Sequence, residues 1–388
     1  MKIAFLFDAM LYGGIERVGI NYLKILKEEG HDVEVFILNT RRLSGIVDEI
    51  PSDLKVYKVL VNKYMCPNRY WYLAKRWWWG KFAFPIAHTF AYIFLRIYGL
   101  RFLIYGKYDL AISMAGHTSD LSINAYNIIR SEKKLAWLHG ALYEYMIIDP
   151  GYERLYSKIK NIVTLNDFSE GLCFFFNKYL KINSRKIFNP CYIENNLIDD
   201  HLVNEIKAKY GEFILMVGRM TAPKNPIGLM KAIEYIYEKY GVKYNTVFLG
   251  DGDKMNEYKE YAAKSQIADC FHLIGNVPEP QSYYKAAKMF GFSSFSEGLP
   301  TVIVEAMCFG LPIATSDTNV REILDQGKYG LISPIDDEVG LGENIHQIMS
   351  NPEVYKKYSE LSIQRFEAFK PETIKAQFTD FFIESKIA

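Results

Sequence analysis

Short apolar runs alternate along the chain with stretches in which apolar residues recur every three or four positions, which predicts parallel strands covered by helices on both faces. In the first half the runs are IAFLF from Ile3, VEVFIL from Val33, LAISMA from Leu110, KLAWLHG from Lys134 and NIVTLN from Asn161. In the second half they are FILMVGR from Phe213, NTVFLG from Asn245, CFHLIG from Cys270, MFGFSSF from Met289, LPIATS from Leu311 and GLIS from Gly330. Each half therefore reads as a doubly wound α/β unit. Between them, IFNPCYIENNLIDDHLVNE has the proline, asparagine and acidic punctuation of a linker, which sets the boundary near Asn195 to Asn204. The expected domains are 1–197 and 198–370, followed by a terminal helix over 371–388. Asp8 stops the opening apolar run too early for a secretory leader, so that run is expected to be a buried strand.

A chain of 388 residues, 49% hydrophobic and 23% charged, can bury a full core in each unit. A net charge of +1 argues against a general polyanion binder, and no nucleic-acid partner is expected. Cys66, Cys173, Cys191, Cys270 and Cys308 have no paired spacing and suit reduced thiols in a cytosolic compartment.

The candidate chemistry follows the strands. EGLPTVIVEAM, Glu297 to Met307, sets two carboxylates around a Gly-Leu-Pro turn that enters a helix. Pro300 suits the first helical position, and the N–H groups of Thr301 and Val302 would then form an anion site at the helix start. Two readings stay open on spacing alone: a phosphate flanked by polyols, or a plain strand-to-helix turn with solvated glutamates. Gly13 and Gly14 follow the first strand and precede Ile15, Val18, Tyr22 and Leu26, one helix face that Gly30 ends. Arg219 and Lys224 in VGRMTAPKN could clamp a diphosphate, a fork and a point charge together. His139 ends one strand before Gly140, and His117 is a second candidate on the same rim. Asp251-Gly252-Asp253 could hold a divalent metal, but it reads better as a glycine-rich turn, and no metal site is expected.

Gly13-Gly14, His139-Gly140, Gly218-Arg219 with Lys224, Gly250-Asp251-Gly252 and the two glutamates around Gly-Leu-Pro together resemble the family 4 glycosyltransferases of the GT-B fold. The resemblance covers nearly the whole chain in order. It implies two facing Rossmann-like domains with a central cleft, and retaining, metal-independent transfer from a nucleotide-diphosphate sugar. It further implies a final helix that crosses back onto the first domain. No cofactor is implied beyond the donor, a UDP-sugar by this resemblance. By position, Glu305 would bind the ribose and Glu297 the donor sugar, with backbone from Gly298, Leu299, Pro300, Thr301 and Val302 supplying N–H groups. Arg219 and Lys224 would neutralise the diphosphate, Asn276 and Val277 would read the base, His139 would lie beside the sugar, and Gly13 and Gly14 would admit the phosphate. Asn166 departs from the serine common in the family and leaves that loop's role open.

No acidic residue lies between Asp53 and Asp109, while ten basic residues do, among them Lys75, Arg76 and Lys81. Trp71, Trp77, Trp78 and Trp79 fall in the same window. Basic residues mixed with aromatics suit the headgroup region of an anionic membrane, here over about residues 64–106. The apolar run Phe82 to Leu95 is expected to be too short to span and to be broken by Pro85, so it should lie on the surface. The alternative is that these aromatic helices simply pack on the first sheet. The reading implies a hexose-type transferase at the cytoplasmic membrane face, with a lipid-linked glycan acceptor bound near His117, serving cell-surface polysaccharide synthesis. The rivals are a noncatalytic GT-B partner subunit and a nucleotide-sugar epimerase.

Overall fold

The computed structural model describes residues 1–11, 13–139, 151–167, 171, 182–193, 198–297 and 299–385. Gly140, Gly298 and residues 194–197 of the expected linker lie outside the described residues. The chain divides into two compact units, Met1–Pro190 with Pro371–Ala388, and Cys191–Lys370.

The first unit holds strands β1 (Lys2–Phe7), β2 (Asp32–Ile37), β3 (Lys55–Lys58), β4 (Tyr108–Ser113), β5 (Ser131–Leu138), β6 (Asn161–Thr164) and β7 (Asn183–Lys186). They form one parallel sheet in the order β3-β2-β1-β4-β5-β6-β7. β1 pairs with β4 in the register Ile3 to Leu110, and both strands are almost wholly apolar because helices cover both faces. Among the described residues the helices here are α1 (Gly14–Glu28), α2 (Trp71–Arg76), α3 (Gly80–Gly99), α4 (Thr118–Ala125) and α5 (Gly151–Ile159). Val18, Tyr22 and Leu26 of α1 are buried as their spacing predicts, and Gly30 follows the helix with φ +76°, a left-handed position that favours glycine.

The region around Pro85 departs from the sequence reading. Pro85 does not break the apolar stretch: α3 runs twenty residues through it and continues as a 3-10 segment over Leu100–Tyr105. Only one ladder bond is lost, to the carbonyl of Lys81 in the exposed first turns, where the loss is cheapest. By length and composition alone, Gly80–Tyr105 could cross a membrane, contrary to the expectation of a run too short to do so.

The second unit holds β8 (Phe213–Val217), β9 (Asn245–Leu249), β10 (Phe271–Gly275), β11 (Met289–Phe292), β12 (Ile313–Ser316) and β13 (Leu331–Ser333), ordered β10-β9-β8-β11-β12-β13 and again parallel. Its helices are α6 (Asp200–Tyr210), α7 (Pro226–Tyr240), α8 (Met255–Lys264), α9 (Gln281–Ala286), α10 (Thr301–Cys308), α11 (Glu338–Ser350) and α12 (Pro352–Phe366). The last helix, α13 (Pro371–Glu384), belongs to the first unit, where Phe378 packs 5.3 Å from Tyr22 and 5.4 Å from Trp137. In each sheet the strand order reverses once, at β1/β4 and at β8/β11. Sheets of this kind bind ligands beyond the carboxyl ends of the strands at such a reversal.

Candidate functional site

At the β8/β11 reversal, Lys224 follows β8 and Glu297 follows β11. The Lys224 ammonium reaches both carboxylate oxygens of Glu297, at 2.5 and 2.7 Å. The two side chains are 19% and 8% exposed, so this charge pair is held largely away from water. Two of the three ammonium donors are directed at Glu297, which leaves one for another oxygen. The loops around the pair are pinned. Ser294 Oγ and Phe295 N–H both donate to Pro223 O, at 2.8 Å each, and Ser293 Oγ donates to Asn225 O at 2.6 Å. Asn319 Nδ2 donates to Glu297 O at 2.6 Å and fixes the backbone before the Gly-Leu-Pro turn.

The turn leads into α10, whose first residue is Thr301. Pro300 is the N-cap, with φ −72° and ψ 98°, one position earlier than expected, because its extended ψ keeps it outside the helix. Ile303 N–H already bonds Pro300 O, and no side chain caps the helix, so the N–H groups of Thr301 and Val302 head its start. One turn on, Tyr284 O–H donates to Glu305 Oε2 at 2.9 Å. Tyr284 is buried and stacks on Phe309 with centroids 5.6 Å apart, which makes it a rigid support for the Glu305 carboxylate. Neither Tyr284 nor Asn319 was singled out in the sequence, since a tyrosine on a helix face and an asparagine in a turn carry no signal by themselves.

Arg219 is exposed, and among the described residues its guanidinium has no ion-pair partner. Its loop packs tightly on the Gly250-Asp251-Gly252 turn: Met220 N–H donates to Asp251 O, and Lys254 N–H to Met220 O, each at 3.0 Å. A Cβ on Gly250 would sit 2.0 Å from Gly218 O, and one on Gly252 2.3 Å from Met220 O, so the glycines serve this backbone contact. Asp251 accepts from Gly252 N–H at 2.7 Å, as a turn aspartate does. Among the described residues no group of three or more metal-ligating side chains converges. Asn276 and Val277 follow β10, exposed and half-buried, and Leu299 is half-buried; Gly298 lies outside the described residues.

At the β1/β4 reversal of the first unit, His139 and His117 meet one loop. His139 Nε2–H donates to Met114 O at 2.6 Å, and burial of the ring pushes its pKa down to about 4, so the imidazole is neutral. Three residues on, His117 is the N-cap of α4, and its Nδ1 lies 3.3 Å from Asp8 Oδ2 after β1. The buried carboxylate of Asp120 accepts from Gly116 N–H at 3.0 Å and His117 N–H at 2.7 Å. Gly116 has φ +66°, and a Cβ there would press on Trp137 O at 2.9 Å. Gly13 is the exposed N-cap of α1, and a Cβ on Gly14 would meet nothing within 4 Å.

The tryptophan segment separates into two kinds of position. Trp71 is half-buried, edge-on to Phe84 at 4.5 Å with the Arg154 guanidinium 4.8 Å above it. Trp77, Trp78 and Trp79 are exposed, Trp78 to 83%, and Trp77 stacks on Trp79 at 5.1 Å. Arg76 covers Trp77 at 5.4 Å, and Lys81 is exposed; Lys75 lies on α2, and its side chain is outside the description. Along α3 the buried stripe is Gly80, Phe84, Ala91, Leu95 and Gly99, while Phe82, Ile86, Phe90, Ile93 and Ile97 are exposed on the other side.

Residues 199–365 match the family described as Glycosyl transferases group 1. The chain is 26% identical over 55% of its length to a Campylobacter jejuni α-1,4-N-acetyl-D-galactosaminyltransferase whose name gives a GalNAc-α-(1→4)-GalNAc-α-(1→3)-diNAcBac-PP-undecaprenol acceptor, and the match spans 58% of that relative. It is 32% identical over 29% of its length, and 30% of the relative's, to an Escherichia coli UDP-Gal:α-D-GlcNAc-diphosphoundecaprenol α-1,3-galactosyltransferase. Among solved structures, Anabaena HepE in complex with UDP superposes with a TM-score of 0.73 over 99% of this chain and 100% of that one, at 16% identity.

Proposed function

We propose, from the match of residues 199–365 to the group 1 glycosyl transferases and from the GT-B fold of the chain, that this protein moves a hexose-type sugar from a UDP-sugar to a hydroxyl of a lipid-linked glycan. The observation that carries it is the Lys224–Glu297 pair at the β8/β11 reversal, with the uncapped start of α10 following Glu297 and the exposed Arg219 preceding Lys224 after β8.

Departure of UDP leaves a cationic sugar and a growing negative charge on the diphosphate, so fixed positive groups there lower the barrier. Arg219, the remaining donor of Lys224 and the N–H groups of Thr301 and Val302 are those groups. Glu297, held by Lys224, is aimed by that contact at the sugar hydroxyls, and Glu305, held by Tyr284, at the ribose. His139, neutral with Nε2–H committed to Met114 O, offers Nδ1 as an acceptor for a sugar hydroxyl. Cations and helix dipole supply the charge without a metal, and the leaving phosphate receives the acceptor's proton on the same face, which retains the anomeric configuration.

The acceptor reading rests on α3. Its outer face is a continuous apolar strip, Phe82 being 73% exposed, edged by Lys81, Arg96 and Arg101, and its inner stripe is tied to the first unit along its length. A helix packed in this way lies in the headgroup layer of an anionic membrane rather than crossing it, at the cytoplasmic face where lipid-linked saccharides present their sugars. Calorimetry with UDP tests the donor half of the reading: micromolar binding to the wild type that is lost in Lys224→Ala is expected, and equal binding by the two would refute it.

A further inference from the structure

Among the described residues, the strand reversal of each sheet carries an acid–base pair, Lys224 with Glu297 in the second unit and His117 with Asp8 in the first. The pair in the second unit is absorbed by the donor reading above. The pair in the first unit has no role there, although it is built with as much support.

Asp8 leaves the end of β1 with its carboxylate 11% exposed, whereas the His117 ring is 47% exposed. With Nδ1 turned to Asp8, Nε2 is the nitrogen left for a ligand. The backbone that carries the ring is fixed from below by both oxygens of Asp120, and on its other side by the His139 bond to Met114 O. The groups that face His117 are Asp8 after β1, Glu16 on α1, Asp120 on α4 and His139 after β5, with Arg42 beside Asp8 and Glu16 and the buried Cys66 thiol beside Asp8 and Asp120. The hydrogen bond to Asp8 raises the His117 pKa against the effect of burial. Burial alone would raise Asp8, but the bond and charge of His117 outweigh it and hold that carboxylate ionised.

A donor nitrogen held by the ionised Asp8 carboxylate selects against phosphate, which that charge would repel, while burial pushes the Asp120 pKa up to about 7 and raises that of Glu16 as well. It suits a group that gives one hydrogen bond and takes another, as the hydroxyls of a saccharide do.

We propose that Asp8 and His117 are the pair that binds and orients a hydroxyl of the acceptor saccharide, with Asp120 as the positioning residue beneath them. This rests on the transferase reading. The test uses the acceptor on which the wild type works best in a screen of diphospholipid-linked mono- and disaccharides with UDP-sugars. His117→Gln and Asp8→Asn should each raise the acceptor KM about tenfold or more, as loss of a hydrogen bond to a charged group does, while UDP binding stays within twofold. The wild-type kcat/KM for acceptor should fall as pH rises through the elevated pKa of His117, because the Nε2–H donor is lost. That fall should vanish in His117→Gln and move to lower pH in Asp8→Asn. Should Asp8→Asn fail to fold, His117→Gln, on a half-exposed ring, decides alone. Unchanged KM with an unchanged pH profile would overturn the assignment and leave the transferase reading standing. A wild type that transfers to no member of the screen would overturn that reading, and this one with it.

Discussion

Lys224 and Glu297 lie 73 residues apart in the chain, yet the ammonium of one sits within 2.7 Å of both carboxylate oxygens of the other. They meet because β8 and β11 are neighbours at the only place where the second sheet's strand order reverses among the described residues. Removing either partner leaves a charge largely buried and unpaired. Lys224→Ala and Glu297→Gln should each lower kcat by about a hundredfold or more, with circular dichroism unchanged. Turnover within threefold of wild type in either variant would remove the pair from the site.

Tyr284 offers a finer probe of the same unit, because its hydroxyl lies 2.9 Å from Glu305 Oε2, against 3.4 Å from Val302 O at the start of α10. Tyr284→Phe removes the 2.9 Å donor to Glu305 and keeps the ring stacked on Phe309. UDP affinity should fall about tenfold, the scale of a hydrogen bond to a charged group, while affinity for pyrophosphate stays the same. Equal losses for both ligands would show that Glu305 does not serve the ribose.

His139 gives a pH signature. Its folded pKa of about 4 lies below the ordinary histidine value, so the folded state binds fewer protons than the unfolded chain between those limits. The stability that depends on the neutral ring is therefore complete above about pH 6.5, the unperturbed value, and is lost as pH falls toward 4. Thermal melts of wild type and His139→Asn should differ least near pH 4 and most near pH 7. A constant difference across that range would contradict the neutral assignment.

The apolar strip of α3 should govern membrane partitioning. Phe82→Ser with Phe90→Ser should weaken binding to anionic vesicles more than tenfold, since each buried aromatic contributes about 2 kcal/mol. Arg96→Gln with Arg101→Gln should weaken it mainly at low salt. Binding to anionic and neutral vesicles that is equal, and untouched by either pair, would place this face elsewhere.

The sequence reveals what is apolar or locally punctuated, and little else. Buried strands such as β1 and β8 are legible because helices cover them on both sides, so nearly every position is apolar. The edge strands β3, KVYK, and β7, NSRK, escape the same reading because only one neighbour pairs with them and their side chains stay polar. Pro85 misleads for a related reason: a proline signals a break, but the exposed early turns of α3 absorb one missing bond. At the site, Glu297 and Lys224 are visible as residues after strands, and Glu305 as a carboxylate one turn into the helix that follows. Their partners are not, since the link of Lys224 to Glu297, the support of Glu305 by Tyr284 and the contact of His117 with Asp8 all depend on strand order rather than spacing.

The most direct test is to incubate the protein with a panel of UDP-sugars and diphospholipid-linked saccharides and to follow UDP release and the product anomer by NMR. The expected result is UDP release with at least one donor, a product that keeps the donor's anomeric configuration, full activity in EDTA, and loss of all of it in Lys224→Ala. Release of no UDP from any donor, with or without acceptor and vesicles, would contradict it.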